Sequence, residues 1–367
     1  MKRRRFVTPT SIRKLSLISG ALLGCIGLSA HAQGSVTLYG VIDAGLLYTS
    51  KSLNPVNGQN AGHQFSLISG GMTPSLFGLR GTEDLGGGLK AIFDLESGFL
   101  VSNGQLNDSN GNLFGRKAYV GIASDTYGTV KAGVQESPFV TSLIEVDPRN
   151  VSYFGSGVPI YVGNVFVTGI FNSNAISYTS PTIAGFRGSA MLALGGTAGD
   201  FQAGRQYSAN LDYTYGSLLI TAAMYNGNAG GTAASTPIPS TVPFTGRTIG
   251  ASYRLGDLTV KAAYTLEKSA GSFDNRVYSG GARYQFTPAV SADAGVWYTS
   301  DGNDTNNHSI MAATGITYSL SKATLLYGQL GYVDNHGLMH VGLSTNGALL
   351  GASGSTFGTA IGIRHLF

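Results

Sequence analysis

The chain has 367 residues, of which 43% are hydrophobic and 11% charged, with a formal net charge of +4. That positive balance sits at the very start: Lys2, Arg3, Arg4, Arg5, Arg13 and Lys14 precede the apolar run Leu15–Leu28, with no acid among them. Six of the 23 basic residues and none of the 19 acidic ones fall there, leaving 17 against 19, so the charge gives no ground for a nucleic-acid partner.

Taken in chain order, the first element is a secretory signal peptide. A basic start, a short apolar run and the cleavage pattern Ala30-His31-Ala32 predict a signal over 1–32 and a mature chain over 33–367. The apolar run is short for a spanning helix. Leu22-Leu-Gly-Cys25 is a fainter, lipoprotein-type processing pattern, but the run continues past it to Ala32. Cys25, the sole cysteine, leaves with the signal, so the exported chain must be stabilised without disulfides.

After the signal, no apolar run approaches the ~20 residues of a transmembrane helix. Segments of about ten residues with alternating polarity follow one another, as strands do. Sixteen are predicted, over 35–48, 75–84, 88–98, 113–123, 128–135, 174–179, 185–194, 206–215, 218–225, 247–255, 258–267, 276–286, 290–299, 309–318, 323–332 and 356–367. The connections are alternately short and long. From Tyr178 onward every second strand ends in a tyrosine and a tight turn, at Tyr178, Tyr215, Tyr253, Tyr284 and Tyr318. Short turns on one side, long loops on the other and aromatic girdles mark a barrel through a bilayer. Backbone groups left unpaired in hydrocarbon are so costly that only helices and closed barrels cross it. The fold expected is all-β: a 16-stranded antiparallel transmembrane β-barrel, closed by its last strand on its first.

Alternation assigns faces. Leu89, Ala91, Phe93 and Leu95 point to lipid, and Lys90, Asp94 and Glu96 point to the lumen. By the same rule Asp212, Arg254, Lys261 and Asp293 line the pore. A lysine or arginine on the lipid face near the midplane costs roughly 2–4 kcal/mol. Slipping the strands of Lys90, Arg254 and Lys261 by one residue would cost roughly 6–12 kcal/mol, on the scale of a whole domain's stability of ~5–15 kcal/mol.

The residues also carry a family resemblance. Gly34-Ser-Val-Thr-Leu-Tyr-Gly-Val-Ile-Asp-Ala-Gly45, Phe77-Gly-Leu-Arg-Gly81 running on to Glu96, Phe114-Gly-Arg-Lys-Ala-Tyr-Val-Gly121, Asn174-Ala-Ile-Ser-Tyr-Thr-Ser-Pro181 and Gly362-Ile-Arg-His-Leu-Phe367 occur in order. The chain resembles the trimeric general porins of β-proteobacteria from Gly34 to Phe367. The resemblance implies an outer-membrane homotrimer that passes ions and small hydrophilic solutes, without a cofactor, among outer-membrane lipid and lipopolysaccharide. It implies that Phe367, with Phe357, Ile361 and Ile363, forms the terminal signal read by the assembly machinery. It implies that the long third loop, Glu136–Ser173, folds inward as a constriction, with Glu145 and Asp147 on the loop and Arg80 and Arg116 on the facing wall. Alternation adds Lys90 and Lys131 to that group, and Asp43 within the first-strand motif is expected to line the pore.

The chain also departs from the family. Phe171 stands where an arginine is common, the fifth strand ends Gly133-Val-Gln135, and the third loop begins Glu136-Ser-Pro138-Phe139. Fewer constriction arginines predict weak anion preference or little selectivity. A substrate-specific channel is the alternative, although Trp297 and the scattered tyrosines form no evident ladder. An enzyme is not expected: His63, His308, His336, His340 and His365 stand in no nucleophile motif. His336 and His340, four apart in a loop-like stretch, suit a metal only on a helix, so no metal site is expected.

Overall fold

The computed structural model describes residues 34–107, 111–165, 170–231 and 243–367; the predicted signal, 1–32, lies outside them. The strands are β1 (Ser35–Thr49), β2 (Gln64–Ser69), β3 (Leu76–Gly86), β4 (Leu89–Gly98), β5 (Lys117–Ser124), β6 (Gly128–Glu136), β7 (Phe171–Thr179), β8 (Phe186–Ala193), β9 (Gln206–Tyr215), β10 (Leu218–Gly227), β11 (Phe244–Leu255), β12 (Leu258–Ser269), β13 (Asp274–Gln285), β14 (Val290–Asp301), β15 (His308–Ser319) and β16 (Thr324–His336). A small hairpin, β17 (Val341–Ser344) and β18 (Ala348–Leu350), forms a separate two-stranded sheet, and β19 (Gly354–Leu366) returns to the main sheet. Two helices, α1 (Pro138–Val146) and α2 (Gly157–Val165), lie in the loop after β6.

β2 and β3 pair in succession with β1, so they are two pieces of one wall strand and the wall has sixteen crossings. Every neighbouring pair is antiparallel. β19 closes on β1 from Val41↔Leu366 to Thr49↔Gly358. Gly40 and Phe367 then exchange backbone hydrogen bonds of 2.9 and 3.1 Å, so the last residue completes the seam. A closed sheet has no edge strand to leave unpaired in lipid.

The connections 87–88, 125–127, 180–185, 216–217, 256–257, 286–289 and 320–323 are short and share one end of the barrel. Gly256, at φ 59°, sits in a two-residue hairpin turn where a side chain would be strained. The tyrosines expected there, Tyr178, Tyr215, Tyr253, Tyr284 and Tyr318, are all exposed on the outer surface. Between the girdles lies a continuous outward band that includes Val120, Ile176, Leu211, Ile249, Val296 and Ile316, each exposed. Water penalises so large an apolar belt; hydrocarbon does not. Among the described residues no helix is long and apolar enough to cross a membrane, and the crossings are made by strands.

Three differences from the sequence expectation have local causes. The second strand begins earlier, at Gln64, and breaks over 70–75, where Gly70 adopts φ 81° and the backbone N–H groups of Gly71, Met72 and Thr73 turn to the Asp43 carboxylate. The sixth strand begins at Phe171, earlier than 174, past a bulge between Gly133 and Gln135 on its partner. No strand is expected between 332 and 356, yet this loop holds the β17–β18 hairpin, and all four β17 residues are buried.

The apolar core lies inside the cylinder. Phe139, Leu143, Phe154, Ile160, Trp297 and Leu343 pack between the inner wall and the two inward loops.

Candidate pore constriction

Loop three is built to lie against the wall. Ser137 caps α1 by accepting from Val140 N at 3.2 Å, and Pro138 opens the first turn, where its missing N–H costs nothing. α1 then rests on β9–β12. Phe139 N donates to Ser208 Oγ (3.0 Å), and the hydroxyls of Ser142 and Thr221 meet at 2.8 Å. The wall beneath is stripped to glycine. A Cβ on Gly246 would stand 2.7 Å from the Phe139 ring, on Gly250 2.7 Å from Val146, and on Gly281 2.8 Å from Pro148. The track continues through Gly315 under Arg149 and Gly331 under Phe154.

The far end of the loop is clasped by Arg149, 3% exposed. Its Nε donates to Asp293 Oδ1 at 2.5 Å, Nη1 to the carbonyls of Phe154 and Gly155 at 2.8 Å each, and Nη2 to Gln329 Oε1 at 2.8 Å. The corner before it is held by Asp147, which accepts from the backbone N–H of Arg149, Val151 and Gly157, each at 2.9 Å. Val151 sits at φ 54°, a costly conformation for a β-branched residue that these bonds enforce. The last loop then straps the third. Gly155 N donates to Leu343 O (2.8 Å), Thr345 N donates to Tyr153 O (2.9 Å), and Phe154 bridges Ser344. Asn335 holds both ends of the hairpin, donating to Val341 O and Ala352 O and accepting from Val341 N.

On the loop side of the opening, Glu145 shares Arg187 with Asp212: Arg187 Nη2 stands 3.2 Å from Glu145 and 3.1 Å from Asp212. Lys261 Nζ donates to Asn150 Oδ1 at 2.7 Å. Burial, and then the Asp212 charge, push the Glu145 carboxyl above its ordinary range, while Arg187 and Lys261 pull the other way. Burial likewise raises Asp147 against the pull of its backbone donors.

On the opposite wall, Glu96 is 3% exposed and holds Arg116 at 2.8 Å and Lys117 at 3.2 Å. Tyr39 Oη donates to Asp94 (2.6 Å) and Glu96 (2.9 Å). The Arg116 guanidinium lies 4.7 Å from the Phe171 ring, so Phe171 serves as a platform for it. Arg80 stands 5.0 Å from the Tyr39 ring and Lys131 4.9 Å from the Tyr119 ring. Neither forms a salt bridge among the described residues.

The structure thus brings Arg80, Arg116, Lys131, Asp94 and Glu96 together on one side and Glu145, Asp212 and Lys261 on the other. It moves others out. Lys90 lies beside the 87–88 turn, six residues along β4 from Glu96, about 20 Å away at the rise of a strand; Arg254 lies at the same mouth beside the 256–257 turn. Alternation fixes a face but not a depth. Asp147 and Asp43, expected to show charge to the pore, are 1% and 0% exposed and spend their carboxylates on backbone N–H groups. Asp293 faces inward but is covered by Arg149. Arg187 and Lys117 are additions that the sequence reading lacks, although Arg187 has inward parity on the strand predicted over 185–194. His336 stacks on His308 at 4.5 Å, and His340 Nδ1 lies 3.0 Å from Gly351 O, so the two histidines of that loop part company.

A closed sixteen-crossing cylinder, apolar outside and narrowed inside by a charged loop, defines an outer-membrane diffusion channel. Comparison with known proteins agrees. A family model described as Gram-negative porin matches residues 20–338. The chain is 29% identical to an outer membrane porin protein of Bordetella pertussis, over 96% of this chain and all of that one. It is 30% identical to outer membrane porin protein 32 of Delftia acidovorans, over the same shares. The solved anion-selective porin from Comamonas acidovorans superposes with a TM-score of 0.77 at 26% identity, over 91% of this chain and all of the other. The chain belongs to the Gram-negative porin family, and it is a porin of the outer membrane.

Proposed function

We propose that this porin is a general diffusion channel with weak anion preference that works as a homotrimer. The observation carrying the selectivity is the inequality of the two charge sets at the constriction. Arg80 and Lys131 meet aromatic faces, and one carboxylate, Glu96, serves both Arg116 and Lys117, while Asp94 and Glu136 offset part of that surplus on the same wall and Asp147 is spent on backbone hydrogen bonds. The field proposed from this balance is positive and weak. Opposed fixed charges concentrate counter-ions in a narrow pore, and salt screens them over roughly 8–10 Å, so the preference is modest. The relative named as anion-selective supports the sign.

Reversal potential across a planar bilayer in a salt gradient tests this. The wild type should favour chloride over potassium, and Arg80→Ala combined with Lys131→Ala should move the potential toward cations. A cation-favouring wild type that does not respond to these substitutions would sink the proposal. Conductance arriving in three equal steps per insertion supports the trimer. Phe367 is proposed as the residue read by the assembly machinery, on the strength of its place at the seam.

A substrate-specific channel is the second reading. It is favoured by one feature, a cavity of about 240 Å³ at the mouth between α2 and the last loop, lined by Ile160, Phe273, Met339 and His340 among others. Liposome swelling with sugars of graded size separates the two: a size cutoff alone supports general diffusion, and saturation by one solute supports specificity.

A further inference from the structure

The cavity of about 240 Å³ at the long-loop mouth is lined by two unlike surfaces. The barrel wall supplies polar groups. Asn275 on β13 stands opposite Asp301 at the end of β14, and Asp301 N donates to Asn307 O at 2.9 Å, so the three residues are neighbours. The loops supply apolar groups: Ile160 from α2, Phe273 ahead of β13, and Met339, Val341 and Leu349 from the last loop. Leu338 and Leu350 also line the cavity while remaining exposed, so it is open on their side.

The wall groups have bonding capacity to spare. Asn275 and Asn307 are 4% and 8% exposed. The Asn275 amide makes no hydrogen bond with a described residue. Asn307 accepts from Leu338 N at 2.9 Å through Oδ1, and its amide N–H groups have no partner among the described residues. Buried amides left in that state cost free energy that a ligand can recover. Asp301 Oδ1 accepts from the backbone N–H groups of Asp274 (3.3 Å) and Asn303 (2.9 Å), and Oδ2 accepts from none of the described residues. His340 Nδ1 lies 3.0 Å from Gly351 O. A carbonyl only accepts, so Nδ1 is the donor and Nε2 of the neutral ring is the acceptor left over. Among the described lining residues there is no lysine or arginine.

We infer that this cavity binds an apolar α-amino acid. Its ammonium meets Asp301 Oδ2 and His340 Nε2, its carboxylate meets the amide N–H groups of Asn275 and Asn307, and its side chain lies among Ile160, Phe273, Met339 and Leu349. An ammonium only donates and a carboxylate only accepts, so the zwitterion satisfies both kinds of wall group. A plain anion would face Asp301 with no cation to offset it, and a plain cation would leave the two amides unpaired. Sites for small solutes combine an apolar lining with a few such placed polar groups. An apolar cavity of about 150 Å³ takes up benzene, so this one has room for a ring and for the α-carbon with its two charged groups. The solute carries no net charge, so its binding is independent of the ion preference. It holds whether passage through the pore is general or specific.

The test is isothermal titration calorimetry of the full mature protein refolded in detergent, with detergent alone as the blank. The wild type should bind phenylalanine about tenfold more tightly than phenethylamine, which lacks the carboxylate, or hydrocinnamate, which lacks the ammonium. Glycine, which lacks the apolar side chain, should give no binding heat. Asp301→Asn keeps an oxygen for the two backbone N–H groups and should lose about tenfold in affinity for phenylalanine. Asn275→Ala should lose affinity in the same direction, and Leu349→Trp, which fills the cavity, should abolish binding. A wild type that does not bind phenylalanine would overturn the site. Phenethylamine or hydrocinnamate binding as tightly as phenylalanine would overturn the amino acid as its ligand. Unchanged affinity in Asp301→Asn and Leu349→Trp would place the bound phenylalanine elsewhere and overturn the cavity. The ligand series uses the wild type alone, so it decides the matter even where a variant fails to fold. Single-channel conductance keeps the channel reading separate: a conducting, weakly anion-preferring protein that ignores phenylalanine refutes only this site.

Discussion

Along β8–β16 the inner wall lies under the third and last loops and is cut back to glycine where they press on it, at Gly246, Gly250, Gly281, Gly315 and Gly331, whereas along β3–β7 it carries arginine, lysine and tyrosine side chains that face water. The covered wall uses its charges as fasteners: Asp293 takes Arg149, and Asp212 shares Arg187 with Glu145. The bare wall uses them as a field, with Arg80 and Lys131 laid on aromatic rings. The same residue types perform both tasks. What separates them is whether a distant segment folds down on top, dries the site and supplies the partner.

Removing the main fastener should show the largest effect. Arg149→Ala leaves Asp293 and Gln329 without their partner and should destabilise loop three by about 3–5 kcal/mol, as broken buried ion pairs do. The expected readout is a larger, noisier single-channel conductance and a lower midpoint of thermal unfolding. An unchanged conductance would mean that loop three is not what narrows the pore. Filling the glycine track is the next largest: Gly246→Leu should collide with Phe139, cost about 1–3 kcal/mol and again raise conductance. The same substitution at Gly188, where an added Cβ would have its nearest neighbours 3.7 Å or more away, serves as its control and should leave conductance as it was.

The bare wall should behave in the opposite way. Arg80→Ala with Lys131→Ala should shift reversal potential while leaving thermal stability within ~0.5 kcal/mol, the usual range for substitutions away from buried networks. If stability fell as far as for Arg149→Ala, the contrast between the two walls would be lost. The smallest effect concerns pH. Glu145 has its carboxyl raised by burial, so on acidification it takes up a proton before an ordinary glutamate would. Its protonated form is the better accommodated one. Its contribution to docking the loop is therefore full below the unfolded value and is lost as pH rises through the raised folded value. Selectivity should drift toward anions as pH falls through that window, and Glu145→Gln should abolish this part of the drift.

Much of the cylinder is legible in the residues. Period-two alternation marks the lipid and lumen faces of β4, β9, β11, β12 and β14, and turn residues mark the side on which the short connections lie. The signal fails where pattern gives way to contact. Gln64–Ser69 alternates cleanly, yet it is cut off from Leu76–Gly86 by a break that distant residues stabilise, Asp43 on another strand and Tyr153 and Gln329 across the lumen. Val341–Ser344 is apolar enough to be a strand, but nothing local indicates that it turns into the lumen against Phe154. Within the constriction, Arg80 and Arg116 are visible through the resemblance, whereas Arg187 has only its parity to mark it. Asp147 looks like a pore charge and is a corner brace.

By itself the sequence determined which side of each strand meets lipid, because one misplaced charge there costs as much as a sizeable part of the fold's stability. It determined the up-and-down order of strands too, since two-residue turns permit only antiparallel neighbours. Only the tertiary structure decided depth along the barrel and which carboxylates remain charges in water. Both depend on segments more than a hundred residues apart, such as Arg149 with Asp293, and no local period encodes where such segments meet.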